Sequence, residues 1–349
     1  LQEATLIKKK VLLLPILILV FLAFNLSLEA ELKKVLSIGS NQPDYLFMTV
    51  TGVVLDEEGN IYVADAGGYF IRKYNPDGVF IKEVGRYGQG PGEFSNSIGP
   101  LLYDGQKLYL KDDLNYRIAV LDKELNIENY IKLKGLRGSL AKIDNLFYQI
   151  SSKPGEPFPQ VEIYNLKGDF VSSFFDERPD FFKGRTFSKK DYPAWVMFSR
   201  IVMAANRAAE EIAVTFTNPG DKIEIFFYTK EGKFKNKIEM DHLIKYKFPE
   251  FRLHFPPEYP KKSDLIIVWS IHYMGAEKIL LDYWISRYEL EKAVDQKHYL
   301  LVVDRKSGRL LHQELVSNDL KVIGVEDGML FGAEIAEDIP KVVLYKLDY

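Results

Sequence analysis

Residues Gly52–Asp65 read Gly-Val-Val-Leu-Asp-Glu-Glu-Gly-Asn-Ile-Tyr-Val-Ala-Asp, Tyr69–Gly78 read Tyr-Phe-Ile-Arg-Lys-Tyr-Asn-Pro-Asp-Gly, and Val79–Gly85 read Val-Phe-Ile-Lys-Glu-Val-Gly. Runs rich in Val, Ile, Tyr and Phe alternate with Glu-Gly-Asn, Ala-Gly-Gly and Asn-Pro-Asp-Gly, which are tight-turn sequences. The stretch therefore predicts four short strands in a row. A unit of four strands recurring every ~40–50 residues marks the blade of a β-propeller.

Weaker copies follow. With the first blade at Thr51–Gly85, strand runs and turn glycines mark further blades at Ile98–Leu133, Ser139–Phe175, Arg200–Met240 and Leu265–Val316. A last repeat begins at Leu320 and supplies only Lys321–Val325, Gly328–Ala333 and Lys341–Leu347. A three-stranded last blade leaves an open edge that pairs with other chains. Leu32–Ile38 belongs to no repeat and fits as the missing strand. The reading is an all-β, six-bladed propeller of four-stranded antiparallel blades, closed by the N-terminal strand.

The composition agrees. Aromatic residues are 13% of the 349 and favour strands, while 47% hydrophobic content allows a sizeable core. A net charge of −3 predicts no nucleic-acid partner. The absence of cysteine excludes disulfides, thiolate metal sites and a cysteine nucleophile.

Lys8, Lys9 and Lys10 precede an apolar run from Val11 to Phe24, and Ala30 offers a cleavage position. Residues 1–30 read as a signal peptide, with an N-terminal membrane anchor as the alternative, and residues 31–349 as one propeller domain. The chain is expected to be exported, periplasmic or secreted, and membrane-bound only if that segment is retained.

Connections in such blades alternate between two faces of the disc. Short hairpin turns fall on one. The stretches Arg86–Ser97, Ser151–Gln160, Asp176–Ser199, Asp241–Asp264 and Ser286–His298 fall on the other and read as long irregular loops, with insertions near 176–199 and 241–264. Their aromatic and arginine content suits a contact surface. The candidate ligand-binding residues are Arg86, Tyr87, Phe94, Tyr116, Arg137, Arg185, Tyr192, Trp195, Arg252, His254 and Tyr259. Packing of these aromatics onto the disc is the competing explanation.

At Gly52, Asp56, Gly59, Asn60, Ile61, Tyr62, Val63, Ala64 and Asp65 the first blade resembles the NHL repeat, a unit of six-bladed propellers. The continuing Asp-x-x-Asn-x-Arg-Ile pattern is present as Asp112, Asn115, Arg117 and Ile118, whereas the first blade has Gly68 and Phe70 in place of Asn and Arg. Asp65, Asp112, Asn115 and Arg117 are expected to be structural, with Asp112 and Arg117 pairing across a loop. The Gly88–Phe94 linker is similar to the loop between blades in bacterial members. The resemblance implies binding of a protein or other ligand, and in a minority of members a metal-dependent lactonase, hydrolase or lyase with its site at the axis.

A metal enzyme on this fold needs several ligands converging at the axis. The histidines are His242, His254, His272, His298 and His312, and only His272 falls near an innermost strand. No zinc site is expected and no cofactor is assigned. Calcium remains open through Asp44, Glu93, Asp264 and Asp319. The reading favours an exported binding module over a reaction.

Overall fold

The computed structural model describes residues 32–133, 138–151, 158–178, 200–245, 262–289, 292–336 and 339–347. After β1 (Leu32–Ile38), blade 1 is β2 (Val50–Leu55), β3 (Ile61–Asp65), β4 (Phe70–Tyr74) and β5 (Phe80–Val84). Blade 2 is β6 (Ile98–Tyr103), β7 (Leu108–Asp112), β8 (Arg117–Leu121) and β9 (Ile127–Lys132). Blade 3 is β10 (Leu140–Ile143), β11 (Leu146–Ser151), β12 (Gln160–Asn165) and β13 (Phe170–Phe174). Blade 4 is β14 (Ile201–Asn206), β15 (Glu211–Phe216), β16 (Ile223–Thr229) and β17 (Phe234–Met240). Blade 5 is β18 (Lys262–Met274), β19 (Lys278–Glu289), β20 (Lys292–Asp304) and β21 (Leu310–Val316). Blade 6 is β22 (Lys321–Glu326), β23 (Met329–Ala336) and β24 (Ile339–Leu347), and its sheet order is β1-β24-β23-β22. The fold is therefore a six-bladed propeller of four-stranded antiparallel sheets, and the N-terminal strand completes the last one.

The core lies between neighbouring sheets. One apolar cluster joins Ile38, Val342 and Leu344 of blade 6 to Val53, Val63 and Tyr74 of blade 1. Another joins Ile225 and Phe227 of blade 4 to Ile271 and Leu281 of blade 5. Blades are also keyed together by their outer turns. Gly168, at φ 83°, sits so close to blade 2 that a Cβ would fall 2.1 Å from the Lys132 carbonyl oxygen. Gly308, at φ 73°, meets the Glu239 carbonyl of blade 4 in the same way. Blade 2 places Leu125 at the corresponding turn position, at φ 59°, and buries its side chain against Val84 of blade 1. The first residue of each such turn holds it from its own side chain, as when Asn165 Oδ1 accepts the amides of Lys167 and Asp169.

A buried carboxylate secures blade 4 to blade 5. Glu211 accepts hydrogen bonds from Tyr273 (2.8 Å) and Arg305 Nε (2.8 Å), and Lys235 lies 2.6 Å away. Burial alone raises this carboxyl, and the Arg305, Lys235 and Tyr273 bonds together outweigh it and hold the pKa below the usual range.

Blade 5 departs from the sequence reading. Ser286–His298, expected as an irregular loop, is regular: β19 runs on to Glu289 and β20 begins at Lys292. Strands of 12 and 13 residues carry blade 5 beyond the 5 residues of β3 and of β7, a rise of roughly 20 Å above the disc. No helix among the described residues is long and apolar enough to cross a membrane.

Glu211→Gln leaves the Arg305 guanidinium without its charge partner. Urea unfolding of this variant is expected to show a loss of about 3–5 kcal/mol, with the m-value unchanged.

Candidate functional site

The connections between blades and the second-to-third strand turns share one face of the disc. Over blades 1 and 2 that face is built around the linker Arg86–Ser97. The linker folds back on itself: Phe94 N donates to Arg86 O at 2.7 Å and Gly88 N to Phe94 O at 3.0 Å. Glu93 accepts from the amides of Gln89 (3.1 Å) and Gly90 (2.8 Å) and pairs with Arg86 at 2.9 Å. The Gly90 amide foremost, with Arg86, lowers the Glu93 pKa.

Blade 2 then clamps this loop. Arg117 donates to the carbonyls of Gln89 (3.0 Å), Gly90 (3.3 Å) and Glu93 (2.7 Å), and its Nε meets Asp112 Oδ2 at 3.1 Å. Asn115 bridges Gly88 O (2.9 Å) and Asp112 (2.8 Å). The guanidinium also lies over the Tyr130 ring at 4.1 Å, while the Tyr130 hydroxyl accepts from Gly92 N at 2.9 Å. Asp112 is fully buried and accepts the Ser95 amide at 3.1 Å. In blade 1 the matching Asp65 accepts the amides of Met48 (2.7 Å), Thr49 (3.0 Å) and Gly68 (2.8 Å). The arginine missing from position 70 is replaced by Arg72, whose Nη1 reaches Leu46 O at 2.8 Å. Arg72 falls two residues later than the motif spacing, seven after Asp65 where Arg117 is five after Asp112.

The candidate residues divide accordingly. Phe94 is completely buried between blades 1 and 2 beside Ala64, Ile98 and Leu101, so as a ligand contact it is corrected: its ring anchors the linker from beneath. Arg86 projects outward beside Glu93. Tyr87 is 67% and Tyr116 57% exposed. Arg137, Arg185, Tyr192, Trp195, Arg252, His254 and Tyr259 lie outside the described residues.

The structure adds three neighbours to the two exposed tyrosines. Tyr69 packs edge-on against Tyr87 with ring centroids 5.1 Å apart. Leu114 flanks Asn115, and Met48 stands against Gly67; both side chains are more than half exposed. Tyr69 (φ 61°) and Tyr116 (φ 51°) occupy the left-handed region at the same place in the turns of blades 1 and 2, a strained setting for a bulky residue. Met48, Tyr87, Leu114 and Tyr116 thus stand exposed on the hydrogen-bonded loops of blades 1 and 2, with half-buried Tyr69 beside Tyr87.

Blade 5 buries an aspartate of its own, within β19. Asp282 accepts from Trp284 Nε1 at 2.8 Å, and His298 Nε2 lies 2.8 Å from it. The His298 ring stacks on Trp284 at 4.3 Å and its Nδ1 donates to Ser317 O at 3.0 Å.

At the hairpin end of the axis, Arg207 of blade 4 donates to the Tyr103 carbonyl of blade 2. Glu326 of blade 6 has its carboxyl raised by burial, with the Arg207 charge opposing. His272 lies on the innermost strand β18, its Nε2 2.8 Å from Ser270 Oγ. Among the described residues no three His, Asp or Glu side chains are placed to hold a metal ion. Glu93 is spent on Arg86 and two amides, Asp264 pairs with Arg287 at 3.0 Å, Asp44 lies in the surface turn Pro43–Tyr45, and the Asp319 amide bonds Ser317 Oγ at 3.1 Å.

No protein-family model matches the chain, and no curated protein matches it. Among solved structures, the chain is similar to a member of the DUF4221 family from Bacteroides vulgatus, with 10% identity, 90% of this chain and 97% of the other covered, and a TM-score of 0.59. It is also similar to a Bacteroides fragilis protein whose name marks it as a candidate exported protein, at 10% identity, with 90% and 94% covered and a TM-score of 0.56. Virginiamycin B lyase from Staphylococcus aureus aligns at 12% identity over 91% and 99% of the two chains with a TM-score of 0.47, too distant to bear on this chain. Identities this low speak to the fold alone. The NHL likeness remains one of motif.

Arg117→Ala is expected to release the linker. Hydrogen exchange at Gly88 and Gly90 should rise at least tenfold while β15 stays protected, with a global loss of about 2–3 kcal/mol. A second expectation concerns pH. Burial lowers the His272 pKa from 6.5 to about 4, so between those values the unfolded chain binds a proton that the folded chain refuses. Stability is then complete above the upper value and falls as the pH drops through the window, by on the order of 1–3 kcal/mol. His272→Gln should flatten this part of a thermal-unfolding pH profile.

Proposed function

We propose that the chain is an exported binding module that engages a protein partner through the linker face over blades 1 and 2. The observation that carries this reading is the set of exposed side chains Met48, Tyr87, Leu114 and Tyr116, with half-buried Tyr69 against Tyr87, supported by the Arg117 and Asp65 hydrogen-bond sets. Large aromatic side chains and methionine are the groups enriched where proteins meet. A pre-ordered loop loses little conformational entropy on binding, so more of the contact energy is realised as affinity. Two tyrosines held at positive φ fit a surface whose side-chain directions matter more than its backbone comfort. Export is proposed on the basic and apolar N-terminal sequence. Neither catalysis nor a cofactor is part of this reading.

The test is site-specific photocrosslinking in the source cells. A benzophenone side chain at position 87 or 116 is expected to give one discrete protein adduct. The same group at Lys306, on the hairpin face, should give none, and Tyr69→Ala should reduce the yield from position 87 at least fivefold. Equal adducts from the two faces, or none from either, would overturn the proposal.

A further inference from the structure

A cleft of about 520 Å³ opens between the outer parts of blades 4 and 5. That volume falls in the range of small-ligand sites, ~300–1,000 Å³. Blade 4 supplies Lys222, just before β16, Glu239 near the end of β17, and Asp241 and His242 beyond it. Blade 5 supplies the turn between β20 and β21, with Arg309, and Gln313 of β21. The two blades meet where Gly308 lies against the Glu239 carbonyl, so close that a Cβ would fall 2.6 Å from the oxygen. Both residues line the cleft, so this contact closes one side of it.

The polar groups around this space are incompletely matched to one another. Lys222 Nζ stands 3.8 Å from Glu239 and 3.8 Å from Asp241, beyond hydrogen-bond length to either. The Arg309 guanidinium makes no ion pair and the Gln313 side-chain amide no hydrogen bond among the described residues, and both side chains are exposed. His242 is fixed in orientation and tautomer. Its Nε2 donates to Gly220 O at 2.9 Å, which leaves Nδ1 to accept from the Tyr283 hydroxyl at 3.3 Å. Burial lowers its pKa, so the ring is neutral at neutral pH. An imidazole whose polar atoms are spent offers its apolar body.

We propose that this cleft binds a neutral saccharide. The charges lining it balance, Lys222 and Arg309 against Glu239 and Asp241, so neither an anion nor a cation gains from the whole set. A hydroxyl donates and accepts at once. Set beside Lys222 and Asp241, one hydroxyl accepts from the ammonium and donates to the carboxylate, making two charge-assisted bonds where the direct pair makes none. Several hydroxyls on one ring repeat this around Arg309, Glu239 and Gln313, while the C–H face of the sugar lies on His242. The cleft belongs to blades 4 and 5 and is separate from the tyrosine-bearing loops of blades 1 and 2, so it stands or falls independently of the protein-binding reading.

The test is an amide ¹H–¹⁵N titration of the purified chain with the methyl glycosides of glucose, galactose, mannose and N-acetylglucosamine. Glucuronate, glucosamine and glycylglycine serve as the anion, the cation and the zwitterion. At least one neutral glycoside is expected to bind saturably below about 10 mM, with shifts centred on Gly308 and Leu243. Asp241→Ala and Arg309→Ala alter exposed side chains outside the core and should each weaken binding ~10-fold, the loss of a charge-assisted bond. Lys306→Ala, beside the cleft but not lining it, and Tyr87→Ala should leave binding unchanged. The proposal is overturned if none of the four glycosides binds saturably, or if a charged or zwitterionic probe binds more tightly than all of them. Shifts confined to the linker face, or normal binding by the double variant Asp241→Ala/Arg309→Ala, would overturn it as well.

Discussion

The ring depends on one antiparallel pairing between the two ends of the chain. Leu32 lies opposite Leu347 and Ile38 opposite Val342, with a bulge between Lys34 and Leu36. Each sheet of a propeller buries its two faces against its neighbours, so no blade has a complete core until the circle shuts. Without β1 the outer edge of β24 would be bare, and the cluster that holds Ile38 and Val342 against Val53 and Tyr74 would lose its outer member. Closure also sets every later contact. Gly168, Gly308 and Leu125 meet the preceding blade only because all the sheets stand at one spacing and one tilt.

Within that frame buried aspartates take different partners in different blades. Asp65 and Asp112 end the second strands of blades 1 and 2, Asp282 lies within β19, and all three are buried. The first two collect backbone amides from linkers and thereby turn flexible connections into fixed ones. The third collects the indole of Trp284 and the imidazole of His298. A buried carboxylate needs donors, and the local path of the chain decides whether they come from backbone or from side chains. The linker face therefore has rigid, clamped loops over blades 1 and 2 and a tall sheet at blade 5.

Much of this was legible in the residues. Turn sequences such as Asn75-Pro76-Asp77-Gly78 and Asn165–Asp169 announce hairpins by local chemistry, and the orphan run Leu32–Ile38 announces a missing partner. The Asp112–Asn115–Arg117 set is readable as a loop clamp because its members are close in sequence. The inward turn of Phe94 is not legible, for the opposite reason. A Phe at the end of a glycine-rich linker has the same composition whether it faces water or the core, and only the fold-back onto Arg86 turns it inward. The Ser286–His298 stretch was misread because its polar residues Asp295, Gln296 and Lys297 resemble a loop, while pairing with β19 makes them strand. Arg72 went unnoticed because function can shift by two residues along a strand and keep the same side of the sheet.

The sequence by itself determined the fold class, the number of blades and the way the ring closes, because these rest on period-two alternation and turn residues that act over a few neighbours. The tertiary structure decided which side chains stand together on one face. Tyr69 meets Tyr87, and Lys321 meets Val50 across 271 residues of chain. Such meetings depend on the spacing and tilt of whole sheets and on bulges one residue long, as at Trp269, and no local pattern encodes them. Architecture is therefore written in short-range chemistry, and the candidate sites in the geometry of the closed ring.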